Sequence, residues 1–165
     1  MATIGSSEPV QTDDSRLRLG SAIMALGGLG FVGYGVIFFV QNFSDSFLEL
    51  GIGSEQVGVG KQQIEEFNPD LVHYISHLHI ALSGFIAAAG IAVAALAWYG
   101  VRRGLWWAWV TAVLVPVFAL AVALPAHYPW GFDTLGHLGL IYLDTALFVV
   151  GAVIALVALR GRART

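Results

Sequence analysis

Four stretches of the chain, 19–40, 80–101, 105–124 and 138–159, run for twenty residues or more with one formal charge among them, Asp144. A helix rising ~1.5 Å per residue crosses a hydrocarbon core of about 30 Å in roughly 20 residues. Each stretch is therefore long enough to span a bilayer. The rest of the composition agrees, since 57% hydrophobic and 12% charged residues with a mean hydropathy of +0.75 over 165 residues exceed what an ordinary soluble domain carries. The expected fold is all-α, an integral membrane protein built as an antiparallel four-helix transmembrane bundle.

The charges outside the spans orient them. All seven arginines lie at one set of ends: Arg16 and Arg18 before the first span, Arg102 and Arg103 between the second and third, Arg160, Arg162 and Arg164 after the fourth. By the positive-inside rule that side is cytoplasmic. Both termini are then inside, and the five histidines, His73, His77, His79, His127 and His137, collect toward the extracytoplasmic face. Arginine over lysine, with abundant Ala, Gly and Val, fits a prokaryotic plasma membrane. The first apolar run is longer than a secretion-signal core and has no small-residue cleavage site after it, so it reads as a retained anchor. No pattern resembles a nucleic-acid footprint, and the absence of cysteine excludes disulfides, thiolate metal ligation and cysteine-held iron–sulfur clusters.

Three parts follow along the chain: residues 1–15 as a disordered cytoplasmic tail, 16–160 as one four-span domain, and 161–165 as a basic cytoplasmic end. The helices are placed at about 19–40, 71–101, 105–124 and 134–159. Between the first two lies an extracytoplasmic loop of 25–30 residues, in which Phe43, Phe47, Leu48 and Leu50 suggest a segment lying in the interface and Gln62 to Glu66 a short helix. Asn68 followed by Pro69 is a cap with proline at the first helical position. Pro116 lies inside the third span, Pro125 and Pro129 are expected to end it, and Asp133 or Thr134 can cap the fourth. Trp98, Tyr99, Trp106, Trp107 and Trp109 read as an aromatic belt at the inner interface. Gly27, Gly28, Gly30, Gly33 and Gly35 let the first helix approach neighbours closely, and could also serve a homo-oligomer or a membrane-complex partner.

Two polar stripes carry the functional expectation. His73 and His77 share a face on the second helix, and the row continues through Ala81, Gly84, Ala88, Ile91 and Ala95. That row is expected to pack inward and to turn His77 into the bundle, while His79, about 200° from His77, shares a face with Ser83. On the fourth helix Asp133, His137 and Asp144 fall on one stripe with Gly151 and Ala155. Asp144 lies ~16 Å along the axis from Asp133, near mid-membrane, where an acid is expensive and so either protonated or hydrogen-bonded. Its possible partners are Ser83, Thr111, Tyr34 and Tyr142.

His73, His77, His137 and Asp133 are the candidate ligands for zinc, copper, iron or manganese. His77 with His137 is the alternative pair for a b-type haem, and Asp144 the candidate proton carrier below. Three functions are compatible with this pattern. One is a metal- or haem-dependent membrane enzyme or redox protein. Another is a small transporter or lipid-binding protein that uses Asp144. The third is a structural or accessory subunit of a membrane complex. The blander reading of each histidine is a polar residue at a span end, and of Asp144 a hydrogen bond that fixes packing.

Overall fold

A computed structural model of the chain describes residues 8–44 and 50–163. Residues 1–7 of the polar tail, together with Asp45, Phe47, Leu48, Glu49 and Arg164, lie outside the described residues. Regular structure among the described residues is entirely helical: α1 Glu8–Gln41, α2 Ser54–Val57, α3 Lys61–Phe67, α4 Pro69–Ala95, α5 Trp106–His127 and α6 Leu135–Arg162. The α4 helix continues through a π turn, Leu96–Gly100, and a 3-10 turn, Val101–Arg103. Four helices are long and apolar enough to cross a membrane, with mean hydropathy between 2.1 and 2.4 in their apolar windows.

Helix boundaries follow local chemistry. Asn68 caps α4, its side chain accepting from the Asp70 N–H at 3.0 Å with Pro69 at the first helical position. Of the two caps expected for α6, Thr134 serves: its hydroxyl oxygen accepts from the His137 N–H at 3.2 Å. The α1 helix begins at Glu8, inside the stretch expected to be a tail. Pro125 does not end α5, which runs on to His127; the hydrogen bond that proline removes falls in the last turn, where its loss costs little. Gly104 adopts φ +84° and donates to the Val101 carbonyl at 2.8 Å, closing the tight turn into α5.

The α1 helix is the centre of the molecule, packed along its length against α4 on one side and α6 on another. Glycines decide both contacts. A Cβ on Gly20 would stand 2.8 Å from the Gly151 carbonyl oxygen on α6, and one on Gly28 would stand 2.9 Å from the Gly90 oxygen on α4. Both pairs are reciprocal, since a Cβ on Gly151 or Gly90 would meet the α1 backbone as closely. Gly35 approaches Ser83 and Ala87, Gly27 lies on Phe148, and Gly30 lies on Asp144. Most of the α1 glycines are thus used within the chain, and van der Waals contact between backbones replaces the hydrophobic drive that lipid cannot supply.

On α4 the packed row is Ser83, Ala87, Gly90 and Ala94, one residue before the row expected. One residue is about 100° of helix rotation. Gly84 has open space where its Cβ would be, and Ile91 is exposed. The physical reason is that both rows are small; the α1 glycines, rather than the polarity of α4, select which one docks.

The main apolar core, including Leu17, Met24, Val93, Ala97, Ala108, Phe148, Ala155 and Leu159, sits toward the arginine end. There Asp14 pairs with Arg162, and the Arg102 guanidinium lies 4.4 Å from the Trp98 ring centre. The Trp109 indole N–H donates to the Ala152 carbonyl at 3.0 Å, tying α5 to α6.

Candidate functional site

Asp144 lies on the face of α6 that meets α1. Its carboxylate rests against Gly30, where a Cβ would come within 2.2 Å of Oδ1, so only glycine leaves the acid this position. Oδ2 is buried and has no hydrogen-bond partner among the described residues; the neighbouring Thr145 hydroxyl shares that condition. Beside the acid lies a groove of about 430 Å³, lined by Gly30, Gly33, Tyr34 and Ile37 from α1 and Leu140, Leu143, Asp144 and Leu147 from α6. Gly33 forms an open floor, with nothing within 4 Å of where its Cβ would be. Apart from the Asp144 carboxyl and the Tyr34 phenol, every side chain lining the groove is apolar. Its shape suits an apolar body, and its polarity is concentrated at one wall.

Three of the four partners expected for Asp144 bond elsewhere. The Ser83 hydroxyl donates to the Ile80 carbonyl at 2.7 Å, and Thr111 donates to Trp107 at 2.8 Å. The phenols of Tyr142 and Tyr128 are 2.8 Å apart. Only Tyr34 shares the groove with Asp144.

At the histidine end the structure joins two residues that sequence spacing did not connect. His127, in the last turn of α5, and His137, in the first turn of α6, bring their Nε2 atoms to 3.0 Å. The rings lie 5.0 Å apart with 25° between their planes. Each Nδ1 meets a carbonyl: His127 the Ala123 oxygen at 2.9 Å, His137 the Leu50 oxygen at 2.8 Å. His137 is 1% exposed, so it is a core residue rather than a polar span end.

The segment after Leu50 forms a strap over the start of α6. Thr134 donates to the Gly51 carbonyl at 3.2 Å, and Ile52 is buried. Gly51 has φ +72°, and a Cβ there would stand 2.4 Å from the His137 nitrogen. Such closeness between strap and helix is possible only for glycine. The signal in the sequence is Gly51 itself, but spacing alone does not show what it approaches.

The remaining candidates are dispersed. His73 and His77 are exposed on α4, because the packed face is rotated away from them, and Asp133 is exposed before α6. His79 lies on the packed side, its ring 5.0 Å from that of Phe38. Among the described residues no three His, Asp or Glu side chains converge closely enough to hold a metal ion. His137, which both the metal set and the haem pair required, directs its nitrogens to Leu50 and His127. No protein family model, no curated protein and no solved structure matches the chain.

Proposed function

We propose that this multi-pass membrane protein binds a lipid-soluble molecule in the α1–α6 groove. The ligand lays an apolar body along Ile37, Leu140, Leu143 and Leu147 and directs a hydroxyl or amine donor to Asp144. One observation carries this reading: a carboxyl oxygen without a partner among the described residues, in a groove otherwise almost wholly apolar. An ionised acid at the centre of a membrane helix costs about 3 kcal/mol on insertion scales. A ligand donor offsets that cost, and Gly30 and Gly33 keep the space that admits it. The same arrangement serves carriage or presentation of such a ligand, with the helices antiparallel, the arginine end cytoplasmic and the groove opening to lipid.

The test uses the full chain in nanodiscs, with bound lipophiles extracted and identified by mass spectrometry. Asp144→Asn removes the charge while keeping the volume, and Gly33→Leu fills the groove from a position with room for a side chain. Both variants are expected to lose the bound molecule while keeping wild-type helicity and thermal unfolding. Retention of the same molecule at wild-type stoichiometry by both variants contradicts the proposal.

A further inference from the structure

The hydrogen bonds at the histidine end do not close with two neutral rings. A carbonyl oxygen only accepts, so the Nδ1 atoms that meet Ala123 and Leu50 both carry hydrogen. A neutral imidazole has one N–H, which leaves both Nε2 atoms bare. Two bare lone pairs facing each other at 3.0 Å repel. One added proton turns the same contact into an N–H···N hydrogen bond of ordinary length, in which one partner is charged and the bond strengthened accordingly.

We infer that His127 and His137 form a proton-binding site, one proton held between their Nε2 atoms, and that this proton fastens the Leu50–Gly53 strap and the end of α5 to α6. Four nitrogens then carry three hydrogens and one positive charge. The pair joins three chain segments, α5 through His127, α6 through His137, and the strap through the Leu50 carbonyl, beside the Thr134–Gly51 and Tyr128–Tyr142 contacts. Among the described residues, the charged or titratable groups flanking the pair and the strap along the chain are Tyr128 just after α5, Asp133 just before α6, Tyr142 in α6, and Glu55 in α2, which follows the strap. The adjoining end of α1 contributes Gln41 and Asn42, which carry no charge.

At low pH the proton is present and the strap is held; as pH rises the proton leaves, the lone pairs oppose, and the pair separates. It is independent of Asp144, which lies farther along α6 in the groove.

The experiment needs no destabilised variant. Full-length protein labelled with ¹⁵N-histidine in nanodiscs, with His127→Gln used to assign signals, reports the protonation of each ring nitrogen. The expected result is hydrogen on both Nδ1 atoms and a third, shared hydrogen on the Nε2 pair that is lost as pH is raised. One Nδ1–H ring beside one Nε2–H ring, with no extra proton at any pH, overturns the inference. Because the chain has no cysteine, Gly53→Cys provides a single spin-label site, and its Cβ would meet nothing closer than 3.8 Å. Label mobility at position 53 is expected to rise with pH in the wild-type background and to be pH-independent beside His127→Gln. A mobility that ignores pH in both backgrounds, or responds equally in both, overturns the coupling to the strap.

Discussion

Asp144 and Gly51 show how single residues are fixed by what lies opposite them. The acid is held by the absence of a side chain at Gly30, so Gly30→Val is expected to displace the carboxyl and to weaken ligand binding as much as Asp144→Asn. Extraction of bound lipophile from the two variants checks this. Gly51→Ala places a Cβ on a left-handed residue, costing about 1–2 kcal/mol, and drives it against the α6 backbone. The strap is expected to lift, seen as faster amide exchange at Ile52 with little change in helical content. Legibility differed between the two residues. A lone acid in an apolar run announces itself, and Asp144 was visible as a candidate from its position. The pairing of His127 with His137 was not, because it arises from a turn that folds α5 back toward α6, and no helical spacing links positions ten residues apart across it.

Along α1 the elements are held by backbone approach at glycines, beside the buried side chains of Leu17, Met24, Phe148 and Leu159 at the arginine end. Leucine at Gly28 or Gly90 would push α1 and α4 apart, an overpacking cost of about 1–3 kcal/mol. Leucine at Gly84, where space is open, is expected to leave thermal unfolding in detergent unchanged. The contrast between Gly90→Leu and Gly84→Leu measures the helix register directly, and equal destabilisation by both contradicts the packed row described above. The four spans were legible because uncharged runs of this length have few alternatives. So was the inward stripe of α6 through His137, Asp144, Gly151 and Ala155, except for Asp133, which was expected on it but precedes the helix and is exposed. The α4 face was not, since its two candidate rows are both small. Lipid does not distinguish between them as water distinguishes polar from apolar faces, and the choice rests on glycines in another helix.

The molecule as a whole gathers its described arginines at one end, where Asp14 meets Arg162 and the α4–α5 turn lies beside them. Its paired histidines and strap lie at the other end. If the arginine end is cytoplasmic, single cysteines placed in the 102–104 turn and after residue 162 will be labelled by impermeant reagents only after the membrane is opened. A cysteine at position 53 will be labelled in intact cells, and the reverse pattern contradicts the proposed topology. The groove sits between these ends, with one carboxyl oxygen that the described chain does not satisfy. The most direct measurement is photo-crosslinking in nanodiscs with a bilayer-soluble probe that carries a hydroxyl or amine and a photoreactive tail, followed by peptide mapping. Adducts are expected on the α1 and α6 segments around Tyr34 and Leu143, lost in Asp144→Asn and Gly33→Leu. Adducts spread evenly over all lipid-facing helices, and unchanged by either substitution, would contradict binding in the groove.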